Sequence, residues 1–429
     1  MAGSPPRTLS VTIDSIAAGG DGVGRTDGLV IFVPRTAPGD IVTTTTTGRG
    51  HFARGTLNAI VHPSPVRIDP PCGHYTHDRC GGCQLQHMTY AAQVAAKRLV
   101  ISDAIQRIGK REVAPPEVHA SPNEWRYREK LTLALRRSAG GNWIAGLHAF
   151  DDPSHVFALA DCPITDRRVI AAWREIMAAS KYFPEVREFR GSVRWTEDGP
   201  IFMVIGGSRW FGQDQFFDAV PTLSVLYWEP DDGPRRILGD RRVTLEHAGG
   251  IPSRRGPTVI RRPGASFAQV NPVVAEELRA YVHERIAAHA PSRVVDAYSG
   301  NGDLAAALAE QGITVTAIEL DVEASSWTMV RLSEPSRAVT GRVETVLIQH
   351  LPTDLLVLNP PRAGLHEKVP RVIQRTPPPA IIYISCDPAT LARDLARLPQ
   401  YRIQSLRAFD MFPQTAHVET VCELVLESA

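Results

Sequence analysis

No apolar run in this chain approaches the roughly 20 residues needed to cross a bilayer, although 43% of its residues are hydrophobic. A membrane span is not expected. The first twenty residues also lack the basic-then-apolar order of a secretory signal, so the expected location is the cytoplasm. Internal repeats and long low-complexity tracts are missing. Cysteine is scarce, six in 429 residues, at 72, 80, 83, 162, 386 and 422. In a chain of this size without a signal, clustered cysteines point to metal binding or chemistry rather than to disulfides. Net charge is almost absent at +1, but it is unevenly spread. Residues 1–140 hold 17 Lys/Arg against 11 Asp/Glu, and the remainder is net −5. The front third is therefore the part suited to meet phosphate.

What is present divides into three stretches, in keeping with two or three domains for this length. Residues 8–62 alternate short β-prone runs with turn signals: Leu9–Ile16, a glycine-rich turn from Gly19 to Gly24, Leu29–Val33, Asp40–Thr47 and Arg54–Val61. That is the pattern of a small all-β barrel, with the threonine run 43–47 suited to an edge strand and His62–Pro65 to a linker. From Arg67 to about Pro263 the pattern is mixed α+β, with a helix over about Tyr90–Ile108 and strands such as Lys130–Arg136 and Ile201–Gly206. From Gly264 short buried strands alternate with helical stretches, which predicts a parallel sheet covered on both faces. The strands are Arg293–Ala297, Thr314–Glu319, Asp354–Leu358, Ala380–Ser385 and Val418–Leu426. Helices are expected to start near Asp303 and Pro388. The domains expected are residues 1–65, 66–263 and 264–429.

The third stretch carries the chemistry. Asp296-Ala297-Tyr298-Ser299-Gly300-Asn301-Gly302-Asp303 joins a strand to a helix through a loop whose glycines, Gly300 and Gly302, allow close backbone approach of a ligand. The third glycine of a dinucleotide fingerprint is missing, and D-x-x-x-G-x-G suits S-adenosylmethionine, which needs no pyrophosphate cradle. Glu319, at the end of the second strand, is placed to accept hydrogen bonds from ribose hydroxyls. Asn359-Pro360-Pro361-Arg362 follows the third strand and Cys386-Asp387-Pro388 the fourth, so both are expected to face the cofactor. A cysteine just before a helix gains from the helix dipole, which lowers thiol pKa. Cys386 is thus a candidate nucleophile, and Glu419 a candidate base if a dry pocket raises its pKa.

Together these segments resemble the bacterial RNA uracil-5-methyltransferase family acting on ribosomal or transfer RNA, over nearly the whole chain. Gly22-Val23-Gly24-Arg25, Phe32-Val33-Pro34 and Ala37-Pro38-Gly39-Asp40 look like a TRAM domain, an OB-like RNA-binding barrel. Phe267-Ala268-Gln269-Val270-Asn271 is similar to the family's F-x-Q-x-N segment. The resemblance implies that Gln269, Tyr298, Asp303 and Glu319 bind the methyl donor, that Cys386 is the nucleophile and that Glu419 accepts a proton. It rests most specifically on Ser385-Cys386-Asp387-Pro388-Ala389-Thr390 and on Asp410-Met411-Phe412-Pro413-Gln414-Thr415. Asn359 stands where the family usually has Asp, and Asp303 where it commonly has Asn.

Cys72-x7-Cys80-x2-Cys83 and the distant Cys162 resemble the family's four-cysteine iron–sulfur site. Four thiolates suit either a [4Fe-4S] cluster or zinc, and the resemblance favours iron; His74 and His77 are read as bystanders. Trp125-Arg126-Tyr127-Arg128-Glu129-Lys130 interleaves aromatics with cations, which suits RNA contact or core packing. The expected fold is multidomain α/β: an N-terminal OB-like TRAM barrel, a central α+β domain with the cysteine site, and a C-terminal Rossmann-like methyltransferase domain. The expected partner is RNA, 23S rRNA first and tRNA second, with no obligate protein partner. The competing readings are an amino-nitrogen methyltransferase, encouraged by Asn359, a radical methylthiotransferase, whose C-x3-C-x2-C triplet is absent, and a non-catalytic RNA-binding protein.

Overall fold

Strand alternation makes the first unit a barrel. In the computed structural model, which describes residues 7–427 apart from Asp27, Gly50, 243–251, 254–255, 258–262 and 265–268, five strands close in the order Arg7–Ile16, Gly22–Thr26, Leu29–Val33, Phe52–His62, Ile41–Arg49. Val11, Ile13, Ile31, Val33 and Val42 form its core, as the two-residue period of a strand requires. The threonine run, expected at an edge, is paired with the first strand on one side and the fifth on the other, because a closed barrel has no edge. Gly22 and Gly24, expected in a turn, lie inside a strand. A Cβ would come 2.0 Å from Thr36 Oγ1 at Gly22 and 2.3 Å from Val11 Cγ1 at Gly24, so these glycines serve close packing. The expected linker is fastened down by the fully buried Asp40, which accepts from the Ala37 amide (2.7 Å), the Ser64 amide (2.8 Å) and Arg67 Nε (3.0 Å).

The second unit is a seven-stranded sheet ordered Arg236–Asp240, Val225–Glu229, Gly199–Ile205, Glu188–Thr196, Lys130–Arg137, Trp143–His148, Val156–Ala158. One face carries Leu131, Leu133, Leu135, Phe189, Val193, Phe202 and Trp228, which pack with Val169, Trp173 and Ile176 of helix Arg167–Ala178 and with Phe216 of helix Gln213–Ala219. By alternation, Lys130, Arg190 and Arg194 lie on the other face.

The third unit is an eight-stranded sheet ordered Arg337–Thr340, Thr314–Glu319, Arg293–Ala297, Leu355–Leu358, Ala380–Ser385, Glu419–Leu426, Tyr401–Phe409, Glu117–His119. Its first five strands are parallel, but the wholly parallel sheet expected is not what forms: Glu419–Leu426 runs antiparallel to both its neighbours. The chain between Tyr401–Phe409 and Glu419–Leu426, residues 410–418, is shorter than the dozen or so residues of a parallel crossover, so the last strand must turn straight back. Core clusters lie on both faces.

Two elements from early in the chain are built into this sheet. Glu117–His119 forms its edge, and Ile101 and Ile105 of helix Tyr90–Arg107 are fully buried with Leu391 and Leu395 of helix Pro388–Ala396. Each such buried aliphatic side chain contributes ~1.5–3 kcal/mol. On the same early helix Lys97 is buried, its Nζ donating to Asp410 Oδ1 at 2.6 Å and to Phe412 O at 3.1 Å. A buried pair stripped of one partner leaves a charge without compensation. Lys97→Met is therefore expected to lower unfolding free energy by ~3–5 kcal/mol in chemical denaturation, with part of the loss recovered by adding Asp410→Asn. Equal or greater loss in the double variant would contradict this account.

Candidate active site

Each parallel strand of the C-terminal sheet delivers a residue at its carboxyl end to one cavity of about 1110 Å³, where open α/β sheets hold their ligands. Gln269, Tyr298, Gly300, Asp303, Glu319, Asn359, Cys386 and Glu419 all line it. Gly302 does not. Its φ is +69°, and a Cβ there would lie 2.3 Å from the Thr328 side chain, so this glycine shapes the turn into helix Asp303–Glu310 and its fit against helix Val322–Arg331. Gly300, at φ +56°, has nothing within 4 Å of its missing Cβ.

The loop is fixed by the acid expected to meet a ribose. Glu319 Oε2 accepts from the Gly300 amide at 2.9 Å and Oε1 from the Asp321 amide at 2.7 Å, and each oxygen keeps a lone pair for a ligand hydroxyl. Asp296, not assigned a role from sequence, also faces the cavity. Burial, reinforced by Glu319, pushes its carboxyl up to about 7. Asp296 Oδ2, Ser299 Oγ, Asn301 Oδ1 and Gln269 Oε1 are buried without a hydrogen-bond partner. Buried polar atoms are normally paired, so four such atoms on one cavity fit a polar ligand with donors of its own, as the amino acid and ribose of S-adenosylmethionine would supply. Asp303 is paired with Arg331 at 2.7 Å. In the F-x-Q-x-N segment Phe267 and Ala268 lie outside the described residues, while Gln269 hydrogen-bonds the Glu419 carboxyl.

The thiol departs from the sequence expectation. Cys386 stands before helix Pro388–Ala396, but the first free amides of that helix, those of Ala389 and Thr390, both donate to Asp387 Oδ1 at 2.9 Å. The helix terminus is engaged by a carboxylate and is not available to a thiolate. Burial, together with Glu419 and Asp387, pushes the Cys386 thiol up to about 11, against an opposing pull from Arg362. Glu419 follows the expectation: it is buried, and loss of water pushes its carboxyl up to about 7, opposed by the Gln269 hydrogen bond and by Arg362.

Neither Arg362, which stands in the Asn359-Pro360-Pro361-Arg362 segment, nor His417 is assigned a role from the sequence. Arg362 lowers the pKa of both Cys386 and Glu419, and its guanidinium contacts the His417 imidazole at 2.9–3.0 Å. Burial, Arg362 and Lys97 hold His417 down at about 4, so it is a neutral acceptor near pH 7. The loop before Glu419 is held from outside its own sheet. The Gln84 and Leu85 amides donate to Gln414 O, Gln93 Nε2 donates to Gln414 Oε1, and Tyr127 Oη donates to Pro413 O.

Cys72, Cys83 and Cys162 share a buried cluster with Tyr75, Trp125, Tyr127 and Ile164, and Cys80 feels the charge of Cys72 and Cys162. None of the four is in a disulfide. Among the described residues no three Cys, His, Asp or Glu side chains close on a point that would hold a single ion. His74 is engaged by Asp78 at 2.7 Å. Of the interleaved cations, Arg126 is tied to Asp161 at 2.6 Å, and Tyr127 is buried.

Comparisons with known proteins agree with this geometry. The family model described as tRNA (Uracil-5-)-methyltransferase matches residues 254–428, and the TRAM domain model matches residues 6–57. The chain is similar to a protein of Thermosynechococcus vestitus described as an RNA methyltransferase, 33% identical over 97% of this chain and 98% of that one. It is also similar to one of Listeria innocua so described, 29% identical over 98% of each. Its fold is similar to that of the Pyrococcus abyssi tRNA (uracil-54, C5)-methyltransferase solved with S-adenosyl-L-homocysteine, with a TM-score of 0.70, 23% identity and coverage of 97% of this chain and 99% of that one. With Cys386 and Glu419 lining one cavity, both family models matched and a relative 33% identical along nearly the whole chain, the chain belongs to the RNA uracil-5-methyltransferase family with a TRAM domain and is an S-adenosylmethionine-dependent RNA methyltransferase.

Proposed function

We propose that this enzyme forms 5-methyluridine through a transient bond between Cys386 and the uracil ring. The observation that carries the reading is that Cys386 and Glu419 line one cavity with Arg362 acting on both. C5 of uracil is a poor carbon nucleophile. Cys386 gives its proton to solvent and its sulfur adds to C6, which moves the C5=C6 electrons onto O4 as an enolate. C5 then attacks the methyl carbon of the donor, whose bond to sulfur breaks. The Glu419 carboxylate takes the C5 proton, the C5–H electrons restore the double bond, and the thiolate leaves. A thiol held near 11 disfavours an idle thiolate, and the Arg362 cation offsets the negative charge that appears during addition. Glu319, Gly300, Asp296, Gln269, Tyr298 and Asn359 are proposed to hold the donor, with Asp303 shaping the loop through Arg331.

We propose 23S rRNA as the substrate, in the cytoplasm, from the family resemblance of the barrel and the cysteine site. The description of the matching family model supports tRNA as the second reading. Cys72, Cys80, Cys83 and Cys162 are proposed to hold a [4Fe-4S] cluster; four soft sulfur donors, free of disulfides and walled by aromatics, fit such a group. Bound there, it would supply structural cross-linking of the segment that carries Gln84.

Four outcomes follow from this reading. Glu419→Gln is expected to stall after methyl transfer, accumulating a denaturation-resistant protein–RNA species that carries the labelled methyl group and that Cys386→Ala cannot form. Full turnover by Cys386→Ala would instead favour methylation of an amino nitrogen. The carboxyl of Glu419 is raised, so its base form is scarce below about 7; single-turnover rates should climb from pH 5.5 through 8, and a rate that falls over that interval speaks against Glu419 as the acceptor. Nucleoside mass mapping of rRNA and tRNA from cells with and without the enzyme decides the substrate. Anaerobically purified protein should carry about four irons per chain with a broad visible absorbance, lost on Cys83→Ser; zinc without iron would end the cluster assignment.

A further inference from the structure

The cavity has a second wall, supplied by the central sheet. Lys130 opens strand Lys130–Arg137 and is paired in register with Arg194 of strand Glu188–Thr196. Leu131 and Val193, adjacent to them in the two strands, go to the helix-covered core. Lys130 and Arg194 therefore share the opposite face, and both line the cavity that holds Cys386. Like charges directly opposite one another on neighbouring strands are destabilising, and half-burial weakens the screening that would relieve them.

The ammonium of Lys130 makes no hydrogen bond or ion pair with any described residue. The charges that face it are cations: Arg194 and Arg190 from the adjacent strand and Arg128 from the turn before its own. Arg128 Nε is turned onto the Lys130 carbonyl oxygen at 2.8 Å, and Arg194 donates to Gly264 O at 3.2 Å. Of the nearby acids, Glu129 and Asp166 are paired with Arg168 at 3.0 and 2.9 Å, with Glu129 also acting on Arg194, and Glu197 and Asp198 line the same cavity from the exposed hairpin turn; the charges acting on Lys130 are the three arginines. Burial, with Arg194, Arg128 and Arg190, pulls the Lys130 ammonium down to about 8.

We propose that Lys130 and Arg194 form the site for an RNA backbone phosphate next to the target nucleotide, on the open face of the central sheet. This rests on the reading that a uridine enters the cavity to reach Cys386. A phosphate there would give the Lys130 ammonium the counter-ion that no described residue provides, and it would anchor the strand on the wall facing the donor loop. The rival anion is the carboxylate of the methyl donor, which enters the same cavity.

The test uses the full chain with substrate RNA and no donor. Lys130→Ala is expected to weaken RNA binding about tenfold and to lower the slope of log affinity against log salt by about one. Lys130→Arg should keep wild-type values. Because the free ammonium titrates near 8, wild-type affinity should fall from pH 7.5 to 9.5, and that of Lys130→Arg, whose cation does not titrate there, should not. Calorimetry of donor binding should be the same in all three proteins. Unchanged RNA affinity and salt slope in Lys130→Ala overturn the proposal, as does a loss of donor affinity in their place. If wild type methylates RNA while Lys130→Ala binds it normally, only the phosphate site fails; if wild type forms no methyluridine, the reading of the active site fails.

Discussion

Exclusion of water from Cys386 and Glu419 is the constraint on which the rest of the structure depends. In water a thiol and a carboxyl titrate in their ordinary ranges, whereas in this cavity both are pushed towards their neutral forms. At rest these two groups therefore add little negative charge to the site, and the buried Asp296 behaves in the same way. Negative charge becomes affordable only where Arg362 can meet it, which ties formation of a nucleophile to the arrival of a ring for it to attack. A helix terminus that stabilised a standing thiolate would work against this, and Asp387 occupies that terminus.

Such a cavity must be held rigid by groups that do not themselves react. Much of that support comes from outside the C-terminal sheet. Lys97 and Gln93 on an early helix, Gln84 beside Cys83, and Tyr127 from the cysteine cluster all bond to residues 410–414, just before Glu419. Glu117–His119 closes the sheet edge, and Arg35 of the barrel lies between the Tyr75 and Phe150 rings, 4.0 and 4.2 Å from their centroids. The barrel, the cysteine segment and the catalytic strand are thus one mechanical chain, and the buried Lys97–Asp410 pair is its most costly link to break.

Much of this was legible in the sequence. The strand ends at 297, 319, 358 and 385 were readable because buried parallel strands are short, apolar and followed by motif residues, and that rule alone brought Cys386, Glu319 and Asn359 to one place. Gly302 was misread because a glycine kept free for a ligand and a glycine kept free for a neighbouring side chain look alike until Thr328 is seen against it. The raised thiol was unreadable because it depends on which side chain captures the helix amides. Strand Tyr401–Phe409 and the antiparallel return escaped notice because its inward and outward residues do not alternate cleanly, and Gly22 and Gly24 passed for a turn because their constraint comes from other strands. Long-range partners such as Lys97 and Asp410, more than 300 positions apart, leave no local signal.

The most direct test of the central claim is the fate of the enzyme with donor and an RNA carrying 5-fluorouridine at the target position. With fluorine on C5 there is no proton for Glu419 to remove, so the ring should remain bonded to the protein after methylation. Digestion and mass spectrometry should then locate one methylated, fluorinated nucleotide on Cys386. A competent enzyme that binds both partners and yields no such conjugate, or yields it on another residue, contradicts the account.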